Sequence, residues 1–176
     1  TEPAKEAAQM IADGKIIGWF QGRSEFGPRA LGGRSILGNP RSPDMQKILN
    51  LKIKYRESFR PFAPSVLAQY APEYFHMSNN FIKLDSNITG LDYYSESPFM
   101  TIAYKVRNEV IDKIPAVVHK NKTARLQTVN YQDNNKFYNL INEFHQITGV
   151  PVLLNTSLNI KGQPIASTPE DAYGAF

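Results

Sequence analysis

The 176-residue sequence contains no cysteine, which excludes disulfide scaffolds, zinc ribbons, cysteine-ligated iron–sulfur sites and thiol nucleophiles. Its three histidines, His76, His119 and His145, lie far apart without HxxxH or HExxH spacing, so we predict no metal site in this chain. It also lacks an apolar run of about 18 residues, as a membrane helix requires, and an N-terminal segment typical of secretory signals. These absences favour a cytoplasmic domain without a membrane partner.

Three common catalytic motifs are missing as well. There is no GxxxxGK[ST] phosphate loop, no GxGxxG after a predicted strand and no GxSxG nucleophile turn. Apolar residues make up 41% and charged residues 20%, which is ordinary for a globular chain, and the length suits one domain. Arginine, lysine, glycine and a cluster of small polar residues therefore remain as candidates for chemistry.

Positive charge is concentrated in one part of the chain. The net charge is +4, but residues 23–60 contain nine Lys or Arg against Glu25, Asp44 and Glu57. Such an excess indicates an anionic partner, such as phosphate, nucleotide or nucleic acid. The structural alternative is a solvated basic face.

The apolar spacing predicts a small set of helices and strands. We expect a short helical turn at 28–31, and a surface excursion at 76–98 with no regular pattern. Three prolines near 59–70 should limit regular strand pairing there. The predicted helices are 4–13, a helix starting at Ser42-Pro43, 135–147 and one opening at Thr168-Pro169; the predicted strands are 16–20, part of 59–70, 101–107 and 150–154.

The first candidate cluster is the loop at residues 22–35, GRSEFGPRALGGRS, which holds Arg23, Arg29 and Arg34. Arginine binds carboxylate or phosphate through two parallel hydrogen bonds, and glycines let backbone N–H groups approach an anion. The alternative is a structural turn in which these arginines pair with Glu25.

The second cluster is KYRESFR at residues 54–60. If this segment is extended, Lys54, Arg56 and Arg60 share one face and require a counter-anion. The alternative is salt bridging within the fold, for example to Glu57 or Asp44.

Two further clusters follow later in the chain. In TARLQTV, alternation places Arg125 on one strand face with Thr123 and Gln127, or the segment is simply a half-exposed strand. The run NTSLN directly follows the apolar strand 150–154, where ligands bind in open α/β sheets. It is either a donor cluster for a phosphate or carbonyl group, or a turn leaving the strand. The residues of this last cluster are Asn155, Thr156, Ser157 and Asn159.

Together these segments resemble the C-terminal domain of the bacterial O-carbamoyltransferases, a family that includes nodulation and antibiotic carbamoyltransferases. The resemblance rests on GRSEFGPRALGGRSIL, KYRESFRPFAPSVL, SPFM, IPAVVH, TARLQTV, TGVPVLLNTSLN and TPEDA, in this order from about Gly14 to Phe176. It implies one α/β (α+β) domain with a YrdC-like twisted open mixed sheet flanked by helices. It also implies a fragment of a longer protein, consistent with a last predicted helix that is cut off at Phe176. The absent N-terminal domain would be actin-like, of the sugar-kinase type, with Fe²⁺ or a similar metal at its histidines.

The resemblance further implies a transferase reaction in two steps. This domain would bind carbamoyl phosphate and ATP with Mg²⁺ and form carbamoyl adenylate. The N-terminal domain would then transfer the carbamoyl group to an acceptor hydroxyl of a sugar or natural product, and a homodimer is compatible with the family.

The residues matching the family motifs are assigned accordingly. Catalytic roles fall to Lys54, Arg60, Arg125 and Ser157, and substrate or nucleotide binding to Arg23, Arg29, Arg34, Arg56, Asn155, Thr156 and Asn159.

One motif departs from the family. Before LQTV the family usually reads His-x-Asp-Gly-Thr-Ala-Arg, whereas this chain has Asn121-Lys122 in place of Asp-Gly. An acid and a residue suited to positive φ are replaced, so we expect this loop to differ in conformation or in acceptor contact.

Two other functions remain open. A YrdC-like module could bind RNA without catalysing a reaction, because a segment with six excess positive charges suits a phosphate backbone, although the sequence shows no obvious cluster of stacking aromatics. The third interpretation is a domain without catalysis that only supports its N-terminal partner. The intact basic motifs argue against this interpretation.

Overall fold

A five-stranded mixed sheet forms the centre of the computed structural model, which describes residues 2–77 and 96–175. Its strand order is β1-β2-β7-β3-β6, in which β3 and β6 are parallel and the other neighbours are antiparallel. Strands β4 and β5 form a separate antiparallel pair. The strands are β1 Ile17–Phe20, β2 Arg34–Gly38, β3 Ala63–Leu67, β4 Ala103–Lys105, β5 Thr123–Arg125, β6 Gln127–Val129 and β7 Val152–Ser157.

The helices begin and end close to the predicted positions. Asn134 caps α4 by accepting the amide N–H of Phe137, and Gly149 ends it in the left-handed conformation. Thr168 and Asp171 form a reciprocal capping box at α5. The α-helices are α1 Glu2–Ala12, α2 Met45–Ile48, α3 Ala71–Tyr74, α4 Asn135–Thr148 and α5 Pro169–Gly174; a π-helix at Leu49–Ile53 continues α2, and 3₁₀ turns lie at Ala68–Tyr70, Asn108–Lys113 and Pro115–Val117.

The core lies where α1 and α4 pack against each other and against the sheet. Alanines on the inner face of α1 leave room for large side chains of α4, of which Phe137 and Phe144 are fully buried. Gly32 is required below α4, because a Cβ there would lie 2.2 Å from the Phe137 ring. Burying each such aromatic side chain contributes about 1.5–3 kcal/mol. The glycine-rich loop is therefore held against the core at its C-terminal end.

Several local predictions are wrong. No helical turn forms at 28–31, and the segment 123–129 divides at Leu126 between two sheets. Residues 54–60 form bends and turns, so the extended conformation considered as a condition for a shared cationic face is not present. The helix predicted to start at Ser42-Pro43 has Asp44 as its N-cap residue, without a capping side chain. The predicted excursion at 76–98 lies mostly outside the described residues.

Two strands are longer or more regular than predicted. Strand β7 continues through Asn155, Thr156 and Ser157 instead of ending at Leu154. Pro64 lies inside β3, opposite Leu154, and β3 still pairs with a neighbour on each side. A proline lacks the backbone N–H donor. A central strand can therefore contain a proline at a position where the pairing with the neighbouring strand does not use that donor.

The turn at residues 119–123 is held by the side chain of Asn121, one of the two residues that replace Asp-Gly. Asn121 Oδ1 accepts hydrogen bonds from the Thr123 amide and hydroxyl groups, at 3.2 and 2.8 Å, as an aspartate oxygen could. Lys122 adopts φ +60°, the left-handed region that glycine favours. Lys122 therefore stands in a strained backbone conformation, and the expected difference from the family in conformation or acceptor contact stays a prediction.

Replacing Lys122 with glycine should stabilise the protein. A non-glycine residue in the left-handed region costs roughly 1–2 kcal/mol, and the added chain entropy of glycine offsets roughly 0.5–1 kcal/mol of the gain. We expect Lys122→Gly to raise the free energy of unfolding by about 0.5–1 kcal/mol in urea denaturation. Lys120→Gly is the matched control, because Lys120 is an exposed lysine of the same turn without positive φ. Equal changes in the free energy of unfolding in the two variants would contradict the interpretation that Lys122 is strained.

Candidate anion-binding site

A cavity of about 400 Å³ opens beside β7 and the glycine-rich loop, and its only charged lining residues are arginines. Four of its lining side chains are arginines from three separate segments, so the fold collects clusters that are distant in sequence. We call it the arginine cavity; it is lined by Pro28, Arg29, Ala30, Arg56, Arg60, Pro61, Phe62, Ala63, Met100, Arg125, Asn155, Thr156 and Ser157.

The charges of these arginines are largely uncompensated. In residues 2–77 and 96–175, the sole ion pair joins Arg60 to Glu57 at 3.9 Å, and both side chains are more than half exposed. Burial, and then the charges of Arg29 and Arg56, lower the pKa of the Arg125 guanidinium. Like charges gathered in this way favour a bound anion that would offset their repulsion.

The glycine-rich loop binds a carboxylate of its own. Glu25 accepts hydrogen bonds from the backbone N–H groups of Leu31, Gly33 and Arg34 at 2.7, 2.8 and 3.2 Å. The Gly32 N–H is also occupied, since it donates to Ser35 Oγ. The expectation that these amides approach an external anion is therefore wrong, and so is the alternative that Glu25 pairs with the arginines of the loop. The loop presents Arg29 to the cavity instead.

A buried polar network fixes this loop on the sheet. Asn155 Nδ2 donates to the carbonyl oxygen of Ala30 at 3.1 Å, and Gln127 Nε2 donates to that of Leu31 at 2.8 Å. Ser65 Oγ donates to Gln127 Oε1 at 2.6 Å and joins the three strands β3, β6 and β7. Asn155, although part of the cavity lining, thus also has a structural role.

Asn50 holds the second arginine segment, and sequence reasoning did not identify it. The side chain is fully buried at the π-helix, where Oδ1 accepts from Arg56 Nε at 2.6 Å. Its Nδ2 donates to the carbonyl oxygens of Ser58 and Arg60 at 3.1 and 2.8 Å. Arg56 also stacks 4.9 Å from the centre of the Phe62 ring. The only sequence signal was an amide residue among the apolar positions Leu49, Leu51 and Ile53.

Lys54 lies behind the cavity wall, buried against the end of β7. Its Nζ donates to the Ser157 carbonyl oxygen, to the Asn159 carbonyl oxygen at 3.2 Å and to Asn159 Oδ1 at 2.9 Å. Ser157 Oγ donates to Asn159 Oδ1 at 2.7 Å. Burial, and then the charge of Arg56, lower the pKa of Lys54 to about 8. The structure thus brings Lys54, Ser157 and Asn159 together as a unit.

Arg23 and Arg34 lie away from the arginine cavity. The Arg34 guanidinium is buried, stacks 3.5 Å from the centre of the Phe20 ring, and donates to the carbonyl oxygens of Gln21, Gly22 and Gly33. Arg23 is exposed in a separate shallow cavity beside the start of α4. Of the eleven residues predicted from the sequence, seven line the arginine cavity, and these are Arg29, Arg56, Arg60, Arg125, Asn155, Thr156 and Ser157.

The donor set of the cavity suits phosphate more than a protein-bound metal ion. Its lining contains no carboxylate, and no group of three metal-ligating side chains occurs in the described part of the chain. None of the described helices is long and apolar enough to cross a membrane.

Comparison with known proteins gives one family and several relatives. The chain matches the carbamoyltransferase C-terminus family over residues 8–176. An uncharacterized protein of Synechocystis sp. is 44% identical over 191 residues, covering 97% of this chain and 28% of that protein. Nodulation protein NolNO of Sinorhizobium fredii is 46% identical (98% and 24% covered), and nodulation protein U of Rhizobium tropici 40% (90% and 24%). The chain thus spans about a quarter of these relatives.

Two solved structures share the fold. HypF from T. kodakarensis aligns with a TM-score of 0.63 at 16% identity, covering 98% of this chain and 19% of that chain. Full-length HypF in its phosphate- and nucleotide-bound form aligns with a TM-score of 0.61 at 16% identity, covering 99% and 19%. The expected mixed sheet flanked by helices in a single domain is confirmed.

Removing the Asn50 side chain should weaken anion binding. Asn50→Ala frees Arg56 and removes a donor from the Ser58 and Arg60 carbonyl oxygens, of which that of Arg60 keeps Gln46 Nε2 at 3.1 Å. We therefore expect a loss of about 1–3 kcal/mol in stability and roughly tenfold in pyrophosphate affinity at pH 7. Calorimetric titration and denaturation measure the two effects. The matched control is Asn39→Ala, because Asn39 is also buried and binds Arg41 and a backbone carbonyl, but outside the cavity. Equal pyrophosphate affinities of the two variants would contradict this role.

The titration of Lys54 should appear in both anion binding and stability. Sulfate keeps a constant charge across this pH range. We expect it to bind more weakly as pH rises through about 8, because Lys54 of the ligand-free protein loses its proton there. Folding stability should rise between about 8 and 10.5, since the native state releases this proton before the unfolded state does. The fall in sulfate affinity near pH 8 should be absent in Lys54→Met but present in the control Lys52→Met, which removes an exposed lysine. If the fall persists in Lys54→Met, another group causes it.

Proposed function

The chain belongs to the carbamoyltransferase C-terminal family, and on this basis we propose that its arginine cavity binds carbamoyl phosphate and ATP and forms carbamoyl adenylate. The observation that carries the proposal is the set of four arginines around one cavity of about 400 Å³ with a single ion-paired carboxylate in the described residues. Both substrates are polyanions, and their phosphates repel each other. Fixed guanidinium groups offset that repulsion and stabilise charge that develops at the α-phosphate.

The reaction balances with one water molecule. Its oxygen replaces phosphate on the carbamoyl carbon, and the resulting carbamate oxygen displaces pyrophosphate from the α-phosphorus of ATP. The products are then carbamoyl adenylate, phosphate and pyrophosphate. Four arginines supply enough bidentate donors for two phosphate-bearing ligands at once. Arg60 and Arg125 would contact carbamoyl phosphate or the adenylate, and Arg29 the ATP phosphates.

Ser157 is the side chain best placed to orient the reacting groups. It lines the cavity at the end of β7 and is connected through Asn159 Oδ1 to Lys54. This arrangement assigns Lys54 the role of holding Ser157 and Asn159, with a charge that adds to the field of the cavity. Mg²⁺ would enter on the nucleotide.

The later transfer to an acceptor hydroxyl we assign to other parts of a longer protein, because this chain covers about a quarter of its relatives. An N-terminal partner domain, its metal ion, a sugar or natural-product acceptor and a cytoplasmic location belong to the same proposal. Carbamoyl transfer to a hydroxyl would make the complete protein a biosynthetic transferase.

Binding of RNA is the second candidate, and one observation favours it. Phe26, Tyr55 and Phe59 are largely exposed, at 105%, 62% and 67%, on the loops that hold Arg29, Arg56 and Arg60. Exposed aromatics beside cations are typical of surfaces on which single-stranded bases stack. RNA binding would show a steep dependence on salt, with one ion released for nearly every phosphate bound.

Titration of the chain distinguishes these functions. With Mg²⁺, we expect one-to-one binding of both a non-hydrolysable ATP analogue and carbamoyl phosphate, and a loss of about tenfold or more in Arg60→Ala and Arg125→Ala, since charge-assisted hydrogen bonds contribute about 1.5–3 kcal/mol. Lys47→Ala is the control, because it removes one exposed charge on α2, outside the cavity. Absence of binding by both small ligands, with tight salt-sensitive binding of an RNA oligonucleotide, would overturn the proposal.

A further inference from the structure

A smaller cavity of about 180 Å³ adjoins the arginine cavity. The two share Pro61, Phe62 and Arg125 in their linings, so Arg125 stands between them. Thr101, Ala103 and His119 complete the smaller one, which we call the side cavity. It therefore combines an apolar wall with one cation and one imidazole, a lining quite different from that of its neighbour.

Hydrogen bonds at the turn 119–123 define the tautomer of His119. The Thr123 amide N–H and hydroxyl both donate to Asn121 Oδ1, which identifies that oxygen as an acceptor. A hydroxyl has a single hydrogen, so Thr123 Oγ1 must accept from His119 Nδ1, 3.2 Å away. The neutral ring then has its proton on Nδ1 and a free lone pair on Nε2. Burial, and then the charge of Arg125, lower the pKa of His119, which favours this neutral form at pH 7.

Arg125 supplies the complementary donors. Its Nε–H is buried and has no hydrogen-bond partner among the described residues. Because that nitrogen is closed to solvent, a ligand in the side cavity would accept from the terminal N–H groups of the Arg125 guanidinium. The lining of the side cavity thus contains both an imidazole, whose Nε2 is the acceptor of this tautomer, and a cationic donor, Arg125.

We propose that the side cavity binds the carbamoyl end of carbamoyl phosphate, with the NH₂ group donating to His119 Nε2 and the carbonyl oxygen accepting from Arg125. This inference rests on the proposed function and adds to it the residue that selects the substrate. A planar H₂N–C=O group has one donor and one acceptor edge, as the pair requires. The phosphate would remain among the arginines, which lie beyond Arg125.

His119 would then distinguish an amino group from a methyl group. Acetyl phosphate has nearly the shape of carbamoyl phosphate, with CH₃ in place of NH₂, and the same phosphate and carbonyl oxygens. Against a site that accepts a hydrogen bond, such an analogue leaves the acceptor without a partner and binds more weakly. The arginines, in contrast, contact only features that the two ligands share.

The test compares both acyl phosphates with the intact chain by calorimetric titration at pH 7.5. We expect wild type to prefer carbamoyl phosphate by about tenfold to a hundredfold. His119→Asn keeps a polar group near the Nδ1 position, and its contact with Thr123, but has none at Nε2, so the preference should fall to about one. His119→Gln extends an amide oxygen towards the Nε2 position and should restore part of it. Thermal denaturation confirms that both variants fold.

Each result separates this inference from the proposed function. Equal affinity of wild type for the two ligands, or a preference unchanged in His119→Asn, would overturn the role of His119 while leaving phosphate binding by the arginine cavity intact. If wild type binds neither acyl phosphate nor the ATP analogue, the proposed function fails and the side cavity loses its ligand as well. Weaker binding of both ligands by the same factor in His119→Asn would also reject the inference, because it would indicate a loss of structure.

Discussion

Repulsion among four guanidinium groups around one cavity is the constraint on which the rest of this structure depends. Such a cluster persists only when other interactions hold each segment, since the charges themselves favour separation. Asn50 restrains the segment of Arg56 and Arg60, and the network of Asn155 and Gln127 restrains the loop of Arg29. Buried neutral amides are suited to this task because they bind backbone carbonyls without neutralising the arginines, as a carboxylate would. The positive field therefore remains available to a ligand.

The acidic residues nearest to the cavity are kept away from the charges that they could neutralise. Glu25 lies in the same loop as Arg29, yet its oxygens bind three backbone amides at 2.7–3.2 Å. Glu57 reaches Arg60 only at 3.9 Å, with both side chains exposed, a pair that contributes little. Strain is located nearby too: Tyr55 and Met100, at φ +46° and +54°, flank the arginines. Such outliers are retained where surrounding contacts impose them, frequently at functional sites.

The two adjoining cavities contribute different properties to ligand binding. Arginines recognise phosphate in any ligand, so they provide affinity with little chemical selectivity. In our proposal the pair of His119 and Arg125 supplies an acceptor and a donor, and selectivity for an amino group follows from that arrangement. The turn that orients His119 depends on Asn121, whose amide oxygen accepts from Thr123, and on Lys122, which adopts a strained φ.

Local patterns in the sequence determined which segments form helices and which residue types could bind an anion. Periodic apolar residues and caps predicted α1, α4 and α5. The arginine motifs identified four residues of the cavity, and the polar run NTSLN identified three more. Tertiary structure alone decided which cations remain free. Arg29 and Arg34 stand five positions apart in the same loop, but Arg34 is buried under backbone carbonyls and Arg29 lines the cavity. The roles of Asn50, Gln127 and His119 could not be predicted from the sequence for the same reason. These roles depend on partners brought close by folding, such as the carbonyl of Arg60, 2.8 Å from Asn50 Nδ2. The sequence gives the type of each side chain directly. The hydrogen-bond partner of that side chain is set by the packing of segments that are distant in the sequence.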